Sequence, residues 1–141
     1  MDVEEIEIED TQKDKYLTFY LGKEFYGIDI KAVIEIIGIQ PITEVPEVPD
    51  YVRGIINLRG KIIPVVDMRL RFKKELREYT DRTCIVVIEN NGMQIGLIVD
   101  GVSEVISIPP EEVVPPPELK ASKNKYICGI GKKDAKVTLI L

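Results

Sequence analysis

GIDIKAVIEII (27–37) and GLIVDGVSEVI (96–106) are two versions of one stretch, 69 residues apart and aligned without a gap. Gly27-Ile28 falls on Gly96-Leu97, Val33 on Val102, Glu35 on Glu104 and Ile37 on Ile106. A second offset, 75 residues, lays Tyr51 on Tyr126, Gly54-Ile55 on Gly129-Ile130, Lys61 on Lys136 and Ile62 on Val137. The six residues by which the offsets differ fall in a proline-rich loop, marked by Pro41, Pro46 and Pro49 in the first copy and by PPEEVVPPPELKASKNK (109–125) in the second. A loop absorbs such an insertion where a strand does not. The economical account is a tandem duplication.

Within each copy, short β-branched runs alternate with turn signals. Tyr16–Leu21, a Gly22-Lys23-Glu24 turn and Phe25–Ile30 predict a hairpin, followed by a strand over Val33–Ile39. Tyr51–Leu58, a tight Arg59-Gly60 turn and Lys61–Val66 predict a second hairpin, after which Asp67 caps a short helix. The second copy supplies Thr83–Glu89, an Asn90-Asn91-Gly92 turn, Met93–Val99, Val102–Ile108, Tyr126–Ile130 and Lys136–Leu141. About ten strands with little helix give an all-β chain. Five short twisted strands bury their apolar faces by closing on themselves. The expected fold is therefore two five-stranded SH3-like or OB-like barrels sharing a core, with short helices. The expected boundaries are a solvated tail over 1–14, a domain over 15–141 with pseudo-repeats 15–67 and 83–141, and a linker with the short helix over 68–82. Leu141 aligns with Val66, so Asp67 and its helix have no counterpart in the second copy, and a lost C-terminal helix is expected.

Composition narrows the function. The 141 residues are 45% hydrophobic and 30% charged, and they include no histidine. An imidazole base and the usual Ser-His and Cys-His pairs drop out with it. Cys84 and Cys128 stand apart in apolar stretches, where they read as buried reduced thiols rather than a redox pair or zinc ligands. No metal or cofactor is expected. No basic residue precedes an apolar N-terminal core, and the longest apolar runs, IIPVV (62–66) and CIVVI (84–88), fall far below the ~20 residues that span a bilayer. A cytoplasmic protein without membrane insertion is expected. The net charge of −5 is concentrated in residues 1–14, which carry −6 and leave the body at +1. A neutral body with 6% aromatics makes a poor nucleic-acid binder, although OB-like barrels often take that role.

Chemistry-bearing motifs are absent or incomplete. Gly129-Ile130-Gly131-Lys132-Lys133 lacks the first glycine and the final Ser or Thr of a phosphate loop. Glu111-Glu112, adjacent in an extended loop, would point apart. Arg69, Arg71, Lys73, Lys74 and Arg77 are diluted by Asp67, Glu75, Glu78 and Asp81, and read as a solvated helix face. The copies differ most at the second hairpin turn, Asn57-Leu58-Arg59-Gly60 against Lys132-Lys133-Asp134-Ala135. Arg59 is a lone cation among apolar strands, with Glu35 a candidate partner. The residues thus describe a non-catalytic double barrel with a groove between its copies, suited to binding an extended or helical partner.

YGIDIKAVIEI (26–36), YVRGIINLRGKIIPVVDMRLRF (51–72) and GLIVDGVSEVISI (96–108) resemble the CheW family of chemotaxis coupling proteins over nearly all of 15–141. The resemblance implies a double five-stranded barrel without enzymatic activity that joins transmembrane chemoreceptors to the histidine kinase CheA at membrane-associated arrays. It implies that a receptor's helical hairpin tip docks between the barrels. Carried onto this sequence, the receptor-facing residues are Val33, Glu35, Gly54, Arg59, Val102 and Val105. Gly38, Ile62 and Leu119 are the expected kinase-facing positions. A CheW-like module of a CheA- or CheV-type protein is the alternative.

Overall fold

A computed structural model of the chain describes residues 13–115, 129–133 and 136–141. The first copy contributes β1 (Lys15–Leu21), β2 (Glu24–Asp29), β3 (Val33–Gly38), β4 (Val52–Leu58) and β5 (Lys61–Asp67), followed by the single-turn helix α1 (Met68–Arg71). The second contributes β6 (Cys84–Asn90), β7 (Met93–Val99), β8 (Gly101–Ser107), β9 (Val113–Val114), β10 (Gly129–Lys133) and β11 (Lys136–Ile140). The β4–β5 and β6–β7 hairpins turn on two residues with positive φ, Arg59-Gly60 (51° and 84°) and Asn91-Gly92 (52° and 80°). That pairing is the type I′ turn, whose twist matches the strands it joins.

The strands assemble across the copies. One sheet has the order β8-β1-β2-β11-β10-β9 and the other β3-β6-β7-β5-β4. The first hairpin of each copy is therefore inserted into the sheet built by the remaining strands of the other copy. The two sheets repeat each other in detail. β11 pairs parallel to β2 with Ile140 beside Gly27, and β5 pairs parallel to β7 with Val65 beside Gly96. Those pairs are related by the two sequence offsets. The same holds at the bulges, where Phe19 pairs with Val102 and Leu17 with Val105, as Ile88 pairs with Val33 and Val86 with Ile36.

Two apolar clusters follow from this exchange. Ile56, Leu58, Ile63, Val65, Ile85, Val87 and Ile98 fill the second sheet, with Ile37 of β3 packed against them. The larger cluster lies between the sheets and joins Leu17, Phe19, Leu21, Tyr26 and Ile28 to Val86, Leu97, Val99 and Met68. β6 feeds both, since Ile85 and Val87 face one cluster and Val86 the other. Burial on both faces explains why CIVVI reads as an unbroken apolar run instead of an alternating one. Phe19, Tyr26 and Phe72 stack in series within the shared cluster, at centroid distances of 5.5 and 5.1 Å.

Several expectations change. The basic cluster after β5 is not one solvated helix face, because α1 lasts one turn and three of the five basic side chains are engaged, while Lys73 and Arg77 remain exposed. Arg69 is nearly buried against Asp100, Lys74 pairs with Glu24, and the Arg71 guanidinium lies 4.4 Å from the Tyr51 ring centre. Lys132 and Lys133 belong to β10, paired with Val137 and Lys136 of β11, and not to a turn; residues 134–135 lie outside the described residues. Glu111 and Glu112 sit in a 3-10 turn over Pro110–Glu112, not in extended chain, and β9 follows where only loop is expected. Cys84 is a free thiol, half-buried, and burial pushes its pKa up. Cys128, like the tail over 1–12, lies outside the described residues.

Candidate functional site: a groove with two related walls

β3 and β8 flank the contact between the sheets, one on β6 and the other on β1. β3 runs from Val33 beside Ile88 to Gly38 beside Cys84. β8 starts at the same place, where Val102 hydrogen-bonds Cys84 through its backbone, and ends with Ser107 beside Lys15. The two strands are thus sheet edges beside the shared core and the candidate walls of the expected groove.

Val33 and Val102 form its floor, packed against that core. The rims carry Ile36 and Val105, which are 45% and 49% exposed. Each is opposite a shared-core residue, Val86 for Ile36 and Leu17 for Val105, so each points to the groove side of its sheet. Large aliphatic side chains held half out of water at matching positions are poorly satisfied without a covering surface. Ile36 was not among the residues picked out in the sequence. The offset of 69 identifies it directly, because it maps onto Val105.

Glu35 lies on the other face of β3, opposite Val87, and its carboxylate accepts a hydrogen bond from the Arg59 guanidinium. This ion pair joins β3, at one edge of its sheet, to the turn of β4, at the other edge. Its presence shows that the sheet curls until its edges meet. The Arg59 side chain remains 71% exposed and that of Glu35 24%. Arg59 is thus presented to solvent with its position set by a carboxylate and a turn. Asn57 fixes the turn by accepting the Gly60 amide at 2.8 Å.

Gly54 is buried, and a Cβ there would stand 2.1 Å from the Thr43 carbonyl oxygen. Thr43 and Ile55 exchange both backbone hydrogen bonds at 2.9 Å, so Gly54 lets the proline-rich loop dock on β4. Gly54 is thus enclosed by that loop and presents no side chain at the surface. Gly38 and Ile62 are exposed, the latter at 57% on β5 beside the Arg59 turn, and Leu119 lies outside the described residues.

At the end of β5, where it caps α1, Asp67 is buried and fully engaged. It accepts the Arg69 amide at 2.9 Å, the Leu70 amide at 3.3 Å and the Tyr79 hydroxyl at 2.9 Å. Burial, and then the Asp67 carboxylate, push the Tyr79 phenol up to about 12. Among the described residues no group of three or more His, Cys, Asp or Glu is arranged to hold a metal ion. The arrangement offers shape, apolar surface and one presented ion pair, which is the equipment of a binding surface.

Residues 15–141 match the CheW-like domain family. The chain is 35% identical over 133 residues to the chemotaxis protein CheW of Klebsiella aerogenes, covering 94% of this chain and 80% of that protein. It is 35% identical over 132 residues to the CheW of Treponema pallidum, covering 89% and 76%. In structure it is similar to the scaffolding protein TtCheW of Thermoanaerobacter tengcongensis, with a TM-score of 0.85 and 42% identity over 90% of this chain and 87% of that one.

Proposed function

The chain belongs to the CheW-like domain family and is a chemotaxis coupling adaptor built from two SH3-like barrels, and from that premise we propose that it joins chemoreceptor tips to the kinase CheA without catalysing a reaction. The observation that carries the receptor half is the pair of related walls, whose half-exposed Ile36 and Val105 stand over Val33 and Val102. A helical hairpin presents apolar side chains at intervals of three and four residues, which suits a groove with an apolar floor and two apolar rims. Arg59, held by Glu35 on the face of β3 turned away from the rims, supplies a presented charge on the same barrel, and Gly54 seats the proline-rich loop on β4. Gly38, Ile62 and Leu119 are assigned to the kinase side. No helix among the described residues is long and apolar enough to cross a membrane, and the proposed place of work is the cytoplasmic face of a receptor array.

An adaptor of this kind acts by holding two partners in one geometry, so that a change in the receptor biases the kinase between its states. The test is capture of a receptor tip fragment and of the CheA regulatory domain by the full chain. Both are expected to bind, and Val105→Met is expected to weaken the receptor fragment alone. Binding of neither partner would overturn the assignment.

A further inference from the structure

Three elements meet at Asp100, the single residue between β7 of one sheet and β8 of the other. Its Oδ2 accepts the Gly22 amide at 2.7 Å, from the β1–β2 turn of the first sheet. The same oxygen accepts the Arg69 guanidinium at 2.6 Å, from α1, which packs on β5 and β7 of the second sheet. The Asp100 amide in turn donates to Tyr20 at 3.2 Å. The ionic contact is largely withdrawn from water, at 15% side-chain exposure for Asp100 and 12% for Arg69. Arg69 is itself anchored, because its Nε donates to the Glu75 carbonyl at 2.9 Å and its carbonyl accepts the Lys74 amide at 2.7 Å.

We propose that Asp100 and Arg69 form a latch that sets the separation of the groove walls, making them positioning residues for partner binding. The latch spans both sheets at the crossover that leads into β8, and it lies two residues from Val102 on the groove floor. Gly101 transmits the constraint. A Cβ at that position would lie 2.2 Å from the Tyr20 hydroxyl, so the ring of a β1 residue is seated directly on the backbone between latch and wall. Among the described residues, the crossover of the first copy at Asp29 to Lys31 shows no ion pair, its bonds being the local ones from the Lys31 amide to Asp29 and from the Val33 amide to the Ile30 carbonyl. The latch is thus an asymmetric addition to an otherwise repeated fold, and it acts on the β8 wall. Apolar contact between the sheets resists separation but is non-directional. A charge-assisted contact with two fixed donors, the Gly22 amide and the Arg69 guanidinium, and with the Arg77 guanidinium 3.6 Å away, specifies one orientation.

The consequence for binding rests on the groove reading, but the latch itself is measurable without a partner. Spin labels placed by Ile36→Cys and Val105→Cys, in the full chain carrying Cys84→Ser and Cys128→Ser, report the wall-to-wall distance by double electron–electron resonance. A single narrow distribution is expected for this parent. Asp100→Asn, which keeps the side chain's shape and an acceptor for Gly22, is expected to broaden it at least twofold, and Lys73→Gln to leave it unchanged. Arg69→Gln reads the same quantity if the first variant folds poorly. An unchanged distribution in the folded variants, even with a lowered melting temperature, would make the contact merely structural and overturn the proposal. Failure of the parent to bind a receptor fragment would instead remove the groove reading and leave the latch standing.

Discussion

Arg59 and Gly54 show how differently two residues of one predicted surface contribute. Arg59 occupies left-handed backbone at φ 51°, where a long side chain gains nothing locally and Asn is preferred. Its ion pair with Glu35 is mostly solvated and worth at most ~1 kcal/mol. Arg59→Asn is therefore expected to leave stability within ~0.5 kcal/mol of the parent while weakening receptor-fragment binding; full affinity in a calorimetric titration would remove Arg59 from the site. Gly54 is the opposite case. Its φ of 145° and the Thr43 carbonyl both reject a side chain, so Gly54→Ala is expected to cost ~3 kcal/mol or more. For a chain of this size that lowers the melting temperature by about 6–12 °C. Gly38→Ala, with nothing within 4 Å of the added carbon, is expected to melt with the parent. An unshifted melt for Gly54→Ala would show that the loop gives way.

At the scale of elements, the segment after β5 is tied down by charge and hydroxyl contacts that pH can test. Glu24 is held below its ordinary 4.5, chiefly by the Lys74 ammonium and also by the Tyr26 hydroxyl, with partial burial opposing. A carboxylate with a depressed folded value adds stability above the unfolded value, and that stability is lost as pH falls through the folded one. Loosening of residues 72–82 from the β1–β2 hairpin is thus expected below pH 4.5, and a carboxyl titration by NMR should return toward 4.5 in Lys74→Met. Tyr79 behaves with the reverse sign. Raised to about 12, it stabilises fully below the ordinary 10, and its contribution is lost as pH rises from 10 through 12. Tyr79→Phe leaves a buried Asp67 oxygen without its donor and is expected to cost ~1–3 kcal/mol in chemical denaturation. These contacts were the least legible part of the sequence. The alternation of acids and bases over 67–82 gives the same pattern for a solvated face and for side chains paired with Glu24 and Asp100, because the partners lie on distant strands. The hairpins were legible because their turns are local, and Ile36 became so once the two copies were compared.

At the scale of the whole molecule, the repeat in the sequence and the unit that folds are different objects. Offsets of 69 and 75 residues reveal two copies, but they do not reveal that each copy gives its first hairpin to the other, because strand pairing across copies leaves no mark on spacing. The exchange has a mechanical consequence. A chain cut within 68–82 yields one piece with β1–β5 and another with β6–β11. In the first piece β1 loses β8, β2 loses β11, and β3 is parted from β4 and β5 by the missing β6–β7 hairpin. The shared core divides as well, leaving Leu17, Phe19, Leu21, Tyr26 and Ile28 without Val86, Leu97 and Val99. Exposed strand edges and half a core do not sustain an independent domain at this size. Neither piece alone is expected to give a dispersed amide spectrum or a cooperative melt, whereas an equimolar mixture is expected to recover both, with association burying the interface that covalent continuity otherwise guarantees. A cooperative melt from the isolated first piece would mean that each copy closes on itself and that the exchange is dispensable.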